Sequence, residues 1–108
     1  MKYMMLICAG GDPAAAAEPV EPVEPWVAEM DGRGVRLMGH ELRPLAESVS
    51  VQIRGGETLR TDGPFTETKE AIAGFDLLDC KDLDEALEIA AKHPMAKRGR
   101  IELRRFAD

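Results

Sequence analysis

Two histidines are the first residues to consider for proton transfer, because the ordinary pKa of histidine lies close to neutral pH. The chain has only His40 and His93. His40 follows the predicted second strand at Gly39, where it could face a cleft; the alternative is a strand-end histidine with no role in a site. His93 lies in the last turn of a predicted helix before Pro94, where a positive charge is stabilised by the helix dipole. We therefore predict a structural role for His93 and treat His40 as the candidate catalytic histidine.

A second cluster of polar residues lies in a loop at residues 62–70, with the sequence Asp-Gly-Pro-Phe-Thr-Glu-Thr-Lys-Glu. Gly63 and Pro64 restrict the backbone of this loop. One interpretation is therefore that the motif shapes a turn and binds nothing.

The other interpretation is that this loop forms a binding site. Asp62 would then be a hydrogen-bond acceptor or general base, Lys69 an anion contact and Phe65 an apolar wall. Glu67 or Glu70 would support them. The sequence thus predicts Asp62 as a catalytic residue beside His40, and Phe65, Glu67 and Lys69 as ligand contacts.

Other kinds of chemistry have no support in the sequence. No residues are spaced for a metal centre, a glycine-rich phosphate loop or an activated nucleophile. Cys8 and Cys80 form no CxxC pair and have no histidine at metal-ligand spacing. We predict that both cysteines stay reduced and that the protein uses no metal and no cofactor.

The size and charge of the chain limit its partners. Its 108 residues are typical of one domain, which we place at residues 1–108. The net charge is -6, so a nucleic-acid backbone would be repelled and no direct nucleic-acid ligand is expected. The apolar run at residues 3–8 is too short to span a bilayer, so we expect no membrane association and a cytoplasmic protein.

The pattern of apolar residues predicts strands alternating with two helices. Residues 3–8 are a continuous apolar run, typical of a central strand buried on both faces. A helix can begin only at Pro25, and a second begins at Asp82 with a capping box and a stripe of Leu83, Ala86, Leu87 and Ala90. Alternating residues predict a hairpin over 49–61 and further strands. This order predicts an α+β fold, an antiparallel sheet with both helices on one face.

Specific motifs point to a family. The decapeptide at residues 61–70, the pair Gly74-Phe75 and the helix start at 82–86 resemble the hallmark of DGPF-type proteins in the YCII-related family. The first strand and residues 101–104 also fit. The resemblance implies a ferredoxin-like fold whose sheet packs against a second copy, giving a dimeric α/β barrel and a homodimer.

One segment departs from that family pattern. Relatives of this type have a long helix after the first strand, whereas here a Glu-Pro-Val repeat at residues 18–25 favours polyproline II and shortens the helix. The repeat is either a stiff linker or a recognition motif. Some shorter members carry a histidine on the first helix paired with an aspartate, but this chain has no histidine before position 40. That dyad cannot be transferred.

Three functions are compatible with these observations. The first, which we favour, is binding or transformation of a compact organic acid or ring compound in a cleft of the dimeric barrel, with His40 and Asp62 as proton carriers. The second is a non-catalytic regulatory or interaction module associated with an alternative sigma factor, as the resemblance implies. The third is a structural homo-oligomer whose motif only shapes loops.

Overall fold

The computed structural model describes residues 1–64 and 70–107, with Glu70 described as backbone only. Within these residues the chain is a mixed α+β protein. The strands are β1 (Lys2–Gly10), β2 (Arg36–Glu41), β3 (Val49–Arg54), β4 (Glu57–Asp62), β5 (Glu70–Asp79) and β6 (Arg100–Arg105). The α-helices are α1 (Pro13–Ala16), α2 (Glu24–Gly32), α3 (Leu83–Ala91) and α4 (Met95–Arg98), and Leu45–Glu47 forms a short 3-10 helix.

The main sheet has four antiparallel strands in the order β2-β5-β1-β6. β1 lies inside it, as its continuous apolar run predicted, with Met5 opposite Asp76 on β5 and Leu103 on β6. The prediction of an antiparallel α+β sheet is confirmed.

The predicted hairpin is also confirmed, but it forms a separate two-stranded sheet of β3 and β4. Gly55 and Gly56 make the turn, both with positive φ (57° and 79°). A two-residue turn of this kind matches the twist of an antiparallel pair and favours glycine at both positions.

The core lies between one face of the main sheet and helices α2 and α3. Tyr3, Met5 and Leu78 project from the sheet into the same cluster as Trp26 and Met30 of α2. From α3 come the buried residues Ala86, Ile89 and Ala90. The indole N–H of Trp26 donates a hydrogen bond of 3.0 Å to the carbonyl of Ile89, which fixes the two helices against each other. Both helices therefore cover one face, as predicted.

The opposite face of the sheet carries the alternate side chains of the same strands. Met4 and Leu77 are cross-strand partners there, as are Leu6 and Phe75. These four residues are half-buried. Met38 lies opposite Leu77 on β2 and is 42 % exposed. This second face, which we call the open face, is apolar at its centre.

Helix α3 begins as predicted, but its buried stripe differs. The Asp82 carboxylate accepts a hydrogen bond of 2.8 Å from the Glu85 backbone N–H. The Glu85 carboxylate accepts one of 3.0 Å from the N–H of Lys81. The predicted core positions Leu83 and Leu87 are about half exposed, at 49 % and 51 %. The predicted apolar stripe was wrong at these two positions. The side of α3 that faces the sheet and Trp26 carries Ala86, Ile89 and Ala90 instead.

The segment between β1 and α2 contains one helix that the sequence pattern missed. Asp12 caps the short helix α1, accepting a hydrogen bond of 3.0 Å from the Ala14 N–H. Pro25 lies in the first turn of α2, which begins one residue earlier than predicted. Residues 17–23, which include most of the Glu-Pro-Val repeat, form neither helix nor strand. We call residues 17–23 the strap.

The two cysteines are buried and lie far apart in the strand register. Cys8 lies opposite Ile72, whereas the Cys80 N–H donates to the Met1 carbonyl at the other end of β1. The predicted antiparallel pairing of their strands is confirmed. None of the helices in the described part of the chain is long and apolar enough to cross a membrane.

Candidate functional site

A groove of about 420 Å³ opens on the helix-covered side of the main sheet. Its walls are largely apolar, and small residues on two neighbouring strands border it. The apolar lining residues are Ile7, Val20, Val23, Val27, Ala73 and Met95, and the other lining residues are Glu21, Arg36, Gly39, Glu41, Gly74, Asp76 and His93. His40 and Phe75 also border it, although the strand register places their side chains on the open face. An apolar groove with a few polar groups is the usual form of a small-molecule site.

The polar centre of the groove is the ion pair between Arg36 on β2 and Asp76 on β5. The Nε of Arg36 donates to Oδ1 of Asp76 at 2.7 Å. Its Nη1 donates to the Asp31 carboxylate at 3.1 Å, and its Nη2 donates to the Gly39 carbonyl at 3.3 Å. Each nitrogen of the guanidinium is thus already engaged.

Gly39 makes room for this ion pair. It lies directly opposite Asp76 in the pairing of β2 with β5. A Cβ atom at position 39 would collide with the Asp76 carboxylate and would come within 2.8 Å of Nη2 of Arg36. Glycine is therefore required here by close approach of the neighbouring strand.

Asp76 is 5 % exposed, and only one of its carboxylate oxygens is engaged. Among the described residues, Oδ1 accepts from Arg36 while Oδ2 accepts no hydrogen bond. No side-chain oxygen in this part of the chain is both sealed from solvent and without a partner. Oδ2 must therefore reach open space, and the space that Asp76 lines is the groove.

The protonation of Asp76 is shifted by its surroundings. Burial raises the pKa of this carboxyl above its ordinary value, and the hydrogen bond and charge of Arg36 only partly oppose that rise. A carboxyl group with a raised pKa beside a groove can take up or release a proton closer to neutral pH than an exposed one. Asp76 is therefore a candidate proton carrier as well as a binding group.

His93 also borders the groove, in a state that differs from the sequence prediction. It is buried, its Nδ1 accepts a hydrogen bond of 3.0 Å from the Met95 N–H, and its ring packs edge-on against Trp26 with the centroids 4.7 Å apart. Burial lowers the pKa of His93 to about 4. The prediction of a positive charge on the helix dipole was wrong, because the buried ring is neutral at pH 7 and carries its proton on Nε2.

The strap forms the outer wall of the groove and is held by α4. Arg98 donates to the carbonyls of Ala16 and Glu18, both at 2.9 Å. Lys97 forms an ion pair of 3.1 Å with Glu21 of the strap. These contacts are exposed, so each stabilises the strap weakly. They nevertheless place Val20 and Val23 beside the groove.

The predicted catalytic residues lie in different parts of the fold. His40 is on β2 and is among the lining residues, but its ring lies 6.2 Å from that of its cross-strand partner Phe75 on the open face, whereas Gly39 and Asp76 lie on the helix-covered face. Asp62 ends β4 and forms an exposed ion pair of 2.8 Å with Arg60. Among the described residues that line the groove, Asp62 is not included. The pairing of His40 with Asp62 stays a prediction.

The predicted ligand contacts Phe65, Glu67 and Lys69 lie outside the described residues. The groove residues that the sequence analysis missed are Arg36 and Asp76. A signal was present, because Asp76 is a lone carboxylate inside the apolar strand at residues 72–78. Charged residues are almost never fully buried unless they are paired, so a buried strand with one aspartate indicates a specific partner.

The described residues contain no group of three or more histidine, cysteine, aspartate or glutamate side chains placed to hold a metal ion.

Comparison with known proteins agrees with the motifs in the sequence. A YCII-related domain matches residues 1–108, the whole chain. A protein of Rhizobium meliloti (strain 1021) named uncharacterized protein R00369 is 49 % identical over 49 residues. That alignment covers 45 % of this chain but only 40 % of the length of the relative. The family match spans every element that builds the groove, and the chain belongs to the YCII-related family.

Proposed function

We propose that this protein binds a small organic molecule in the groove, with Asp76 as the polar anchor. The observation that supports this most is the buried carboxylate whose Oδ2 accepts no hydrogen bond from the described residues and faces an apolar groove. An unsatisfied acceptor in such a place is favourable only when a bound molecule or water donates to it. The volume of about 420 Å³ suits a compact ligand.

The charges in the groove favour a ligand that donates a hydrogen bond over an organic acid. Asp76 and Glu41 are carboxylates on the lining, whereas the guanidinium of Arg36 is already engaged by three acceptors. The negative charge of Glu21 is balanced by Lys97. A carboxylate ligand would face Asp76 with no free lysine or arginine among the described lining residues to offset the repulsion. An amine or hydroxyl on a ring or branched apolar body fits better.

A chemical role would use Asp76 as the proton carrier. Its raised pKa allows the carboxyl to accept a proton from a bound donor group and return it. Arg36 would hold the carboxylate in orientation through Oδ1 while Oδ2 faces the ligand. The sequence-based alternative keeps His40 and Asp62 as proton carriers and Phe65, Glu67 and Lys69 as ligand contacts, and the same binding assay separates the two.

We also propose that the fold is ferredoxin-like and that two copies pack through the open face to form a dimeric α/β barrel. Without the hairpin and the short helices α1 and α4, the elements follow a β-α-β-β-α-β order, which is that of the ferredoxin-like motif. Met4, Leu6 and Leu77 are apolar residues on a face that helices α2 and α3 do not cover. A second sheet would remove that surface from water.

The test is a comparison of benzylamine, benzyl alcohol and benzoate, which share a ring and differ in the polar group. Calorimetry on the wild-type chain should detect the amine or the alcohol at lower concentration than the acid. Asp76→Asn should weaken binding of the amine at least about tenfold, because a charged hydrogen bond is replaced by a neutral one. Asp62→Asn is the matched control and should have no effect.

Preferential binding of benzoate would contradict this proposal, and so would an Asp76→Asn variant that binds as the wild type does. Loss of binding in Asp62→Asn would instead support the loop site. A chain that binds none of the three compounds would contradict a ligand site of this kind in the groove, and the non-catalytic module associated with an alternative sigma factor would stay as the alternative.

A further inference from the structure

His93 brings a second polar atom to the groove, and the contacts of its ring determine which atom that is. The residue follows α3 and is 5 % exposed. Its Nδ1 accepts a hydrogen bond of 3.0 Å from the Met95 N–H, so Nδ1 cannot also carry a proton. Burial keeps the ring neutral at pH 7, so its one proton is on Nε2. The far end of the ring is therefore a hydrogen-bond donor.

This donor has no hydrogen-bond partner in the part of the chain that the structure describes. There, the contacts of His93 are the bond to Met95 and the edge-on packing against Trp26. No side-chain nitrogen in the same residues is both sealed from solvent and without a partner. The Nε2–H of His93 must therefore reach open space, as Oδ2 of Asp76 does.

Two cavities border the His93 ring. One is the groove, and the other is a hollow of about 490 Å³ beside the strap, bordered by Trp26 and Pro94. The carboxylates that line the hollow, Glu21 and Glu29, are exposed, and each forms an ion pair with a lysine. The walls of the groove are largely apolar, and a hydrogen bond is stronger in such surroundings than in a charged, open hollow. The groove is therefore where a bound molecule gains most from this donor.

The two polar atoms that face the groove have opposite requirements. Oδ2 of Asp76 needs a donor, and Nε2–H of His93 needs an acceptor. A ligand that carries only an amine or a hydroxyl would leave the N–H of His93 unsatisfied, which costs free energy in a buried site. A carboxylate on the ligand could accept from His93, but Asp76 would repel it. An uncharged carbonyl oxygen accepts the hydrogen bond without that repulsion.

We propose that His93 is a specificity-determining residue of the groove, whose Nε2–H donates to an uncharged carbonyl oxygen of the ligand while Asp76 accepts from its hydroxyl or amine. This inference rests on the proposed function, because it takes the groove to be a ligand site. It narrows the ligand class to compounds that carry a donor and a ketone or amide carbonyl on one apolar body. The role of His93 is hydrogen-bond donation, in which no proton is transferred.

The test compares 2-hydroxyacetophenone with 2-phenylethanol, which share a ring and a terminal hydroxyl and differ in one carbonyl. Calorimetry on the wild-type chain should give the ketone a dissociation constant about three- to tenfold lower, as expected for one neutral hydrogen bond. His93→Phe should bring the ratio of the two constants to about one. His93→Gln, which keeps an N–H donor, should retain part of the preference. Asp76→Asn is the matched control and should weaken both compounds by a similar factor.

Nitrogen-15 NMR of the wild-type imidazole provides a second measurement, which does not depend on the folding of a variant. It should find the proton of His93 on Nε2 in the ligand-free protein. The resonance of that proton should shift more with the ketone than with the alcohol. Far-ultraviolet circular dichroism verifies that the His93 variants keep their secondary structure.

Four results would overturn the inference. They are a proton on Nδ1 of His93, equal affinity of the wild type for the two compounds, a preference for the ketone that survives in His93→Phe, and binding of the ketone that Asp76→Asn does not weaken. The last would place the ketone in the hollow. Binding of neither compound would contradict the proposed function and this inference with it, whereas binding without preference for the ketone would overturn this inference alone.

Discussion

Gly39 and Asp76 lie directly opposite each other on neighbouring strands, and the absence of a side chain at one makes the position of the other possible. The carboxylate of Asp76 occupies the space that a Cβ atom at position 39 would need. From there it meets Arg36 through Oδ1 and the groove through Oδ2. Gly39, which has no side chain, therefore determines where the buried carboxylate of Asp76 lies.

The first prediction concerns that space. Gly39→Ala should lower the free energy of unfolding by about 1 to 3 kcal/mol, because the new methyl displaces the Asp76–Arg36 ion pair from its geometry. Gly32→Ala is the control, since nothing lies within 4 Å of a Cβ atom at position 32. Urea unfolding of both variants measures the difference. If Gly39→Ala is as stable as the wild type, the Asp76–Arg36 ion pair does not depend on the space at position 39.

The second prediction concerns the protonation of Asp76. Its raised pKa means that the native state binds the proton more tightly than the unfolded state does. Its contribution to stability should therefore fall as pH rises through the interval between the ordinary pKa of 3.8 and the raised value. Arg36→Met should raise the pKa of Asp76 further, because the opposing cation is lost. Carbon-13 NMR titration of the carboxyl group measures this, and a downward shift would contradict it.

The third prediction concerns the buried neutral ring of His93. Its pKa is lowered from 6.5 to about 4, so the unfolded state takes up a proton that the native state excludes. The stability present above pH 6.5 should decline as pH falls towards 4, by about 3 kcal/mol in total. The His93→Phe variant should not show this pH-dependent loss of stability, and it keeps an aromatic ring beside Trp26. Urea unfolding at pH 7 and pH 4 measures it, and identical losses in the variant and the wild type would contradict it.

The fourth prediction concerns the open face. If sheets of two copies pack together, Leu77→Arg should shift the chain towards a monomer of 11.8 kDa, because a charge would replace an apolar side chain at the centre of the contact. Sedimentation at micromolar concentration distinguishes the two states. Lys2→Glu, at an exposed end of β1, serves as the control. A variant that dimerises as the wild type does would exclude packing through this face.

Local sequence signals predicted most elements well and the groove poorly. The hairpin, the cap at Asp82 and the central position of β1 follow from turn chemistry, capping and a continuous apolar run. The groove depends on which residues face one another across β2 and β5, and a one-residue shift of that register would separate Asp76 from Gly39. Register is a property of the whole sheet, so it could not be deduced from either strand alone.

The charge of His93 is a second property that the local sequence could not predict. Its position before Pro94 correctly placed it at the end of a helix, but helix position alone suggested a positive charge. Whether the ring is charged depends on Trp26, which is distant in sequence and packs against it. The protonation state of a residue therefore depends on neighbours in the folded structure, and a local sequence pattern does not reveal them.

The contact between Trp26 and His93 also provides an optical probe. The chain contains a single tryptophan, so its near-ultraviolet emission comes from one buried indole. That indole touches a ring that borders the groove and gains a charge only in acid. Fluorescence of the unlabelled protein should therefore respond to occupancy of the groove at neutral pH and to titration of the histidine below pH 5, which allows both events to be followed without an attached dye.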